Sequence, residues 1–242
     1  MKTAERSVAI VTGASSGIGL GVTQTLLERG WRVIATSRTI SSSKDLTPSP
    51  DLVLVDGDVS KKETAVKVVE AALKYFGRID LLVNNVGIYM PKAFTDYTED
   101  DYNLVMNTNV ASFFYMTQRV IPQMRKQNSG HVVNISGVAA DQPSSGEPAL
   151  LAVLSKSTMP AVSKALALEY AANNIRFNTV SPGVVNTPMH AKNNHAALAK
   201  FHPLGRIGEV SDIVDAVLYL QNATFVTGEN IRVDGGVHAG RL

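Results

Sequence analysis

The chain has 242 residues, 45% hydrophobic and 18% charged, with a formal net charge of +2 and no cysteine. That length fits one large domain mixing helix and strand. The small charge argues against nucleic acid or an anionic membrane as partner, and the lack of cysteine excludes a disulfide framework, a thiolate metal site and a thiol nucleophile.

The N-terminus, Met1-Lys2-Thr3-Ala4-Glu5-Arg6, runs directly into apolar residues and leaves no room for a signal peptide. No apolar run approaches the ~20 residues that span a bilayer, so a soluble cytoplasmic protein is expected. Val8 to Val11 then lead into Thr12-Gly13-Ala14-Ser15-Ser16-Gly17-Ile18-Gly19. Ile18, Val22 and Leu26 follow at helical spacing, up to a left-handed stop at Gly30. This reads as strand, tight turn, helix. Gly13, Gly17 and Gly19 remove side chains where backbone must approach a ligand, and the helix start presents free N–H groups that favour phosphate. The spacing is G-x3-G-x-G, not G-x-G-x-x-G, and a tight turn without a ligand would use the same glycines.

Arg32 to Ala35 is the second strand of a β-α-β unit, and its end is where an adenosine ribose is met in open α/β sheets. An Asp or Glu there would accept from a ribose 2′-hydroxyl. Thr36-Ser37-Arg38 instead supplies two hydroxyls and a cation. Arg38 can pair with a 2′-phosphate through its forked guanidinium, which predicts NADP(H) as the preferred cofactor with NAD(H) possible; a solvated surface arginine is the alternative.

Thr39 to Pro50 reads as a loop and Leu52 to Val55 as a third strand, followed by Asp56-Gly57-Asp58-Val59. Ser60 and Glu63 form a capping-box pattern before a helix whose buried stripe is Ala65, Val69, Ala72 and Phe76, ending at Gly77. Ile79 to Val83 is a fourth strand, leading into Asn84-Asn85-Val86-Gly87, where short amides can tie central strands together. Thr98 is placed to cap a helix running through Tyr102, Val105, Met106 and Asn109 to Met116; an Asn inside a helix is unfavourable by propensity. His131 to Ser136 is a fifth strand and Phe177 to Ser181 a sixth, which continues into Pro182-Gly183-Val184-Val185-Asn186-Thr187. Residues 187–206 are polar and rich in His and Lys, as expected of a substrate lid. Within them His190, His195 and His202 are spaced too irregularly for a metal site and read as solvated loop residues. Asp212 to Leu220 is helical, and Asn230 to Gly236 holds the last strand.

The string TGASSGIG, with the later segments in order from Val8 to Gly236, resembles the short-chain dehydrogenase/reductase family. The resemblance implies one domain over residues 1–242, a doubly wound parallel sheet (Rossmann fold) of about seven strands with helices on both faces. It implies that Gly13, Ser15, Ser16, Gly17, Ile18, Gly19, Ser37 and Arg38 hold the nicotinamide cofactor. Asp58 and Val59 would line the adenine pocket, although Asp58 also suits a helix start. Asn85, Val86 and Gly87 serve structure and cofactor together, with Val86 standing where the family usually has alanine. Pro182, Gly183, Val185 and Thr187 would hold the nicotinamide carboxamide. Asn109, Ser136 and Lys156 match the family's catalytic asparagine, serine and lysine; a structural amide and a turn serine are the plainer readings of the first two. The substrate implied is a small carbonyl compound or secondary alcohol, and the assembly a homodimer or homotetramer. Ala161, Ala165 and Leu168 would line a subunit face or the core.

The family draws its proton from a Tyr four residues before that Lys, and here that position is Ala152. No tyrosine occurs between Tyr115 and Tyr170, and against the family the loop after Ser136 is longer than usual. Pro160 adds an oddity: lacking an N–H, it leaves the Lys156 carbonyl without its helical partner, which predicts a bend or an irregular turn beside the lysine. Three readings follow. The proton comes from elsewhere (a water on Lys156 and Asn109, Lys156 itself, Ser136 or Tyr89), the chemistry has shifted with Glu147 as acid or base, or the protein binds NADP(H) as a sensor or partner subunit.

Overall fold

The computed structural model describes residues 6–138 and 146–240. Short aliphatic and β-branched runs form seven strands: β1 (Val8–Thr12), β2 (Arg32–Ser37), β3 (Leu52–Asp56), β4 (Leu81–Asn84), β5 (Gly130–Ile135), β6 (Ile175–Pro182) and β7 (Asn230–Val233). They pair in parallel in the order β3-β2-β1-β4-β5-β6-β7. Parallel neighbours need long crossovers, and helices supply them. These are α1 (Gly17–Glu28), α2 (Lys62–Phe76), α3 (Glu99–Met106), α4 (Ser112–Gln127), α5 (Leu150–Lys156), α6 (Thr158–Glu169), α7 (His195–Ala199) and α8 (Val210–Asn222).

Alternation along the strands divides the core between the two faces of the sheet. Ala9, Val11, Val33, Val83 and Val133 point one way, against Val22 and Leu26 of α1 and Ile213 and Val217 of α8. Ile10, Ile34, Leu82, Val132 and Phe177 point the other way, against α2, α4 and Ala167 of α6. Burial on both faces explains why the strands read as unbroken apolar runs. The strand order reverses between β1 and β4, which opens a crevice at their carboxyl ends. None of the described helices is long and apolar enough to cross a membrane.

Several local expectations change. Ser60 does not cap α2: the helix starts at Lys62, its N-cap Lys61 makes no side-chain bond, and Asp58 instead turns the chain by accepting the Ser60 N–H at 3.0 Å. Thr98 does cap α3, in a reciprocal box with Asp101. The long helix expected to continue through Asn109 is broken by a π-turn at Asn107–Ala111 and then runs on as α4 to Gln127. β4 starts at Leu81 rather than Ile79: the Ile79 N–H is taken by the Gln127 side chain, while Asp80 still reaches Val8 and His131 through its backbone. The loop expected to be longer falls largely on residues 139–145, outside the described residues.

Candidate active site

The turn after β1 is built for close backbone approach. Gly13 has φ +65°, which a side chain would strain, and a Cβ on Gly19 would strike the Gly13 carbonyl and come within 2.6 Å of Asn85 Nδ2. Asn85 braces the turn by donating from Nδ2 to the Thr12 carbonyl at 3.0 Å, while its own N–H donates to Thr12 Oγ1 at 3.0 Å. One strand over, Asn84 donates to Asn134 at 3.0 Å and ties β4 to β5.

This turn forms one wall of a cleft of about 1310 Å³ running along the carboxyl ends of the strands. Gly13, Ser15, Ser16, Gly17, Ile18, Ser37, Arg38, Asp58, Val59, Asn85, Val86, Gly87, Pro182, Gly183, Val185 and Thr187 all line it. Gly19 stands behind that wall, under the Gly13 carbonyl. Thr187 lies across the turn, so that a Cβ on Gly17 would meet Thr187 Cγ2 at 3.2 Å. Arg38 is exposed at the far end, and the buried Ser37 Oγ has no hydrogen-bond partner among the described residues. Asp58 sits close enough to feel Arg38. Burial pushes its carboxyl up, but bonds from Ser60 and the charges of Lys61 and Arg38 leave it below the usual range. A glycine cradle at a helix N-terminus, an orphaned hydroxyl and an exposed arginine fit a phosphorylated dinucleotide.

The middle of the cleft is organised on Lys156. Its Nζ donates to the Ser136 carbonyl at 3.3 Å, and desolvation lowers its pKa to about 8. The space in front of the amine is kept open by small residues. A Cβ on Gly87 would lie 3.5 Å from Nζ and one on Gly137 3.7 Å away, while Ala152, one turn earlier on α5, adds only a methyl. The π-turn swings Asn109 toward this helix. Its Oδ1 accepts the Ile88 N–H at 2.8 Å, and its Nδ2 donates to Ser155 Oγ at 2.9 Å, so it clamps α5 to the segment after β4. A small cavity of about 10 Å³ lies behind Lys156, lined by Asn84, Asn109, Asn134 and Ser155 among others, a size that suits one water.

Ser136 is placed differently from its expected role. Its hydroxyl, expected to meet a substrate oxygen, donates to the Lys156 carbonyl at 2.8 Å, and the residue is only 3% exposed. It stands just past the end of β5, and the next residue, Gly137, is the one whose missing Cβ faces the amine. Where a bend or an irregular turn is expected beside Lys156, the helix is interrupted by a single residue: α5 stops at Lys156 and α6 starts at Thr158, while Ser157 keeps helical angles of φ −65° and ψ −18°.

The substrate end of the cleft brings together residues that sequence spacing scatters. Tyr89 hydrogen-bonds Glu147; burial, and then the charge of Glu147, push the phenol up to about 12. His190 faces the same group and is lowered chiefly by desolvation, with Asn193 and Glu147 opposing. His202 is not the solvated loop residue expected. It is 4% exposed, donates from Nδ1 to the Leu198 carbonyl and accepts the Val184 N–H at 3.0 Å, pinning the lid segment to the loop after β6. No local signal in sequence marks this role; it shows only in the fold, where a Cβ on Gly183 would lie 2.7 Å from His202 Nε2.

Comparison with known proteins finds relatives over nearly the whole chain. A family model described as Enoyl-(Acyl carrier protein) reductase matches residues 13–238. A 3-oxoacyl-(acyl-carrier-protein) reductase of Thermotoga maritima is 34% identical, the match covering 96% of this chain and 98% of that one. Among solved structures, the 3-ketoacyl-(acyl-carrier-protein) reductase of Brucella melitensis complexed with NADH superposes with a TM-score of 0.90 at 28% identity, covering 98% of this chain and 100% of that one. ElxO with NADP bound superposes at 0.87 and 25% identity, covering 97% and 100%.

Proposed function

The chain belongs to the short-chain dehydrogenase/reductase family of oxidoreductases, and from that premise we propose that it is an NADP(H)-dependent enzyme that interconverts a small carbonyl compound and its secondary alcohol, with Lys156 supplying the proton. The bound dinucleotide supplies or removes the reducing equivalent; everything else falls to the chain's own residues. Gly13, Ser15, Ser16, Gly17 and Ile18 present backbone to the pyrophosphate, Gly19 behind them lets the turn close, and Arg38 and Ser37 take the 2′-phosphate. Asp58 and Val59 border the adenine, Asn85, Val86 and Gly87 the central part, and Pro182, Gly183, Val185 and Thr187 the carboxamide.

Lys156 carries the proposal because its amine opens on the cleft between Gly87, Gly137 and Ala152, with a pKa of about 8. At neutral pH it is protonated, yet acidic enough to donate to a developing alkoxide, the match that general acid catalysis needs. The other donors fit less well: Tyr89 is bonded to Glu147 with its phenol pushed up to about 12, and the Ser136 hydroxyl is bonded to a carbonyl. Asn109 acts by holding α5, and the lid around residues 187–206, pinned through His202, closes the substrate end.

A second reading rests on Ala152: without a positioned tyrosine the fold binds NADP(H) as a sensor or partner subunit. The deciding experiment follows NADPH oxidation against ketones, diketones, quinones and 3-oxoacyl thioesters, with NADH in parallel. Turnover that Lys156→Ala abolishes supports the enzyme; tight NADPH binding without turnover on any of them supports the second reading. Ala161, Ala165 and Leu168 are exposed on α6 rather than packed in the core, with Leu168 83% exposed, which supports a homo-oligomer. Sedimentation of one species at monomer mass would exclude it.

A further inference from the structure

Two features without an evident connection in sequence, Pro160 and Ser136, meet at one atom. In a continuous helix the carbonyl of residue 156 would accept the N–H of residue 160. Pro160 has no N–H, so that acceptor is stranded although the chain keeps helical angles through Ser157. A buried carbonyl left unpaired costs about 1–3 kcal/mol, which makes some partner obligatory. The partner is Ser136 Oγ, donating at 2.8 Å from the end of β5. The return contact comes from the same two residues: Lys156 Nζ donates to the Ser136 carbonyl at 3.3 Å. Ser136 itself is anchored by its N–H to the Val180 carbonyl at 2.8 Å. The lysine is thus held at both ends by one residue just past the end of β5.

We propose that Ser136 is a positioning residue that replaces the helical donor Pro160 cannot provide, fixing where the Lys156 amine stands in the cleft, rather than a donor to substrate. The inference uses the Lys156 site of the proposed function but does not depend on its turnover. The amine sits on the helix whose last carbonyl the serine holds, so freeing that carbonyl lets α5 turn and moves the amine relative to Gly87 and Gly137.

The test is a double-mutant cycle of Ser136→Ala, Pro160→Ala and both together, with Ser136→Thr as the conservative variant. The main readout is the Lys156 amine titration, followed by NMR of the ¹³C-methylated lysines and assigned with Lys156→Arg. A second is NADPH affinity by fluorescence. Ser136→Ala should move the titration midpoint by about one pH unit and weaken NADPH about fivefold. In the double variant, where an alanine N–H again reaches the carbonyl, both readouts should return to within about twofold of the parent, and Ser136→Thr should stay with the parent. An effect of Ser136→Ala that is absent, or equally large in the Pro160→Ala background, overturns the proposal. If Ser136→Ala alone does not fold, recovery of folding in the double variant supports it and failure of the double variant overturns it. Because neither readout needs turnover, a negative activity screen would sink the enzymatic reading and leave this result standing.

Discussion

Replacing Lys156 with methionine should make the folded protein more stable while removing its function. An ordinary lysine titrates near 10.5, and desolvation lowers Lys156 to about 8. Below pH 8 the amine is charged in both the folded and unfolded chains, and the folded state carries the full cost of enclosing it. Between 8 and 10.5 the unfolded chain binds a proton that the folded one has released, so stability rises with pH by about 1.4 kcal/mol per unit. Integrated over that window, the cost at neutral pH is at most about 3 kcal/mol, reduced by the solvent contact the side chain keeps. Methionine is close in volume and has no charge to desolvate. Urea unfolding without cofactor, near pH 7 and again near pH 10, reads the difference directly. The variant should be more stable at neutral pH by about 1–3 kcal/mol, with the gap narrowing toward pH 10, and it should lose NADPH-dependent turnover. A methionine variant no more stable than the parent near pH 7, or a gap unchanged near pH 10, would refute the argument.

Other consequences follow from the same geometry. Gly19→Ala forces a Cβ against the Gly13 carbonyl and should weaken NADPH binding about 10–100-fold by fluorescence titration with little change in far-UV dichroism; unchanged affinity would contradict the cradle. Arg38→Ala should cost NADPH about tenfold or more in affinity and leave NADH within about twofold, and equal losses for both would remove the 2′-phosphate contact. If Lys156 is the donor, kcat/KM for reduction should fall as pH rises through about 8, and a profile flat to pH 10 would exclude it. His131 is lowered to about 3 by burial, with Arg176 adding to the shift and Gln221 opposing it. Its folded pKa lies below the ordinary 6.5, so stability is present above 6.5 and is lost as pH falls toward 3, by about 1.4 kcal/mol per unit. His131→Gln should flatten that part of the urea midpoint curve; an unchanged slope would assign the acid sensitivity elsewhere.

By itself the sequence determined the architecture, because the signals that specify it are local. Apolar runs bounded by Gly and Asn, helical stripes such as Ile18, Val22 and Leu26, and stops at Gly30 and Gly77 follow from backbone geometry within a few residues. The glycine cradle was legible for the same reason, since Gly13, Gly17 and Gly19 have one local cause. The stranded Lys156 carbonyl was legible too, from the ring of Pro160 alone. Only the tertiary structure decided where each polar group is spent. No local rule brings Ser136 to a carbonyl 20 residues away, couples Tyr89 to Glu147, or buries His202 under the loop after β6. Nor does local pattern place a π-turn so that Asn109 reaches Ser155. Such contacts join segments distant in sequence, and a polar side chain's role is set by whichever buried donor or acceptor the fold brings within about 3 Å of it.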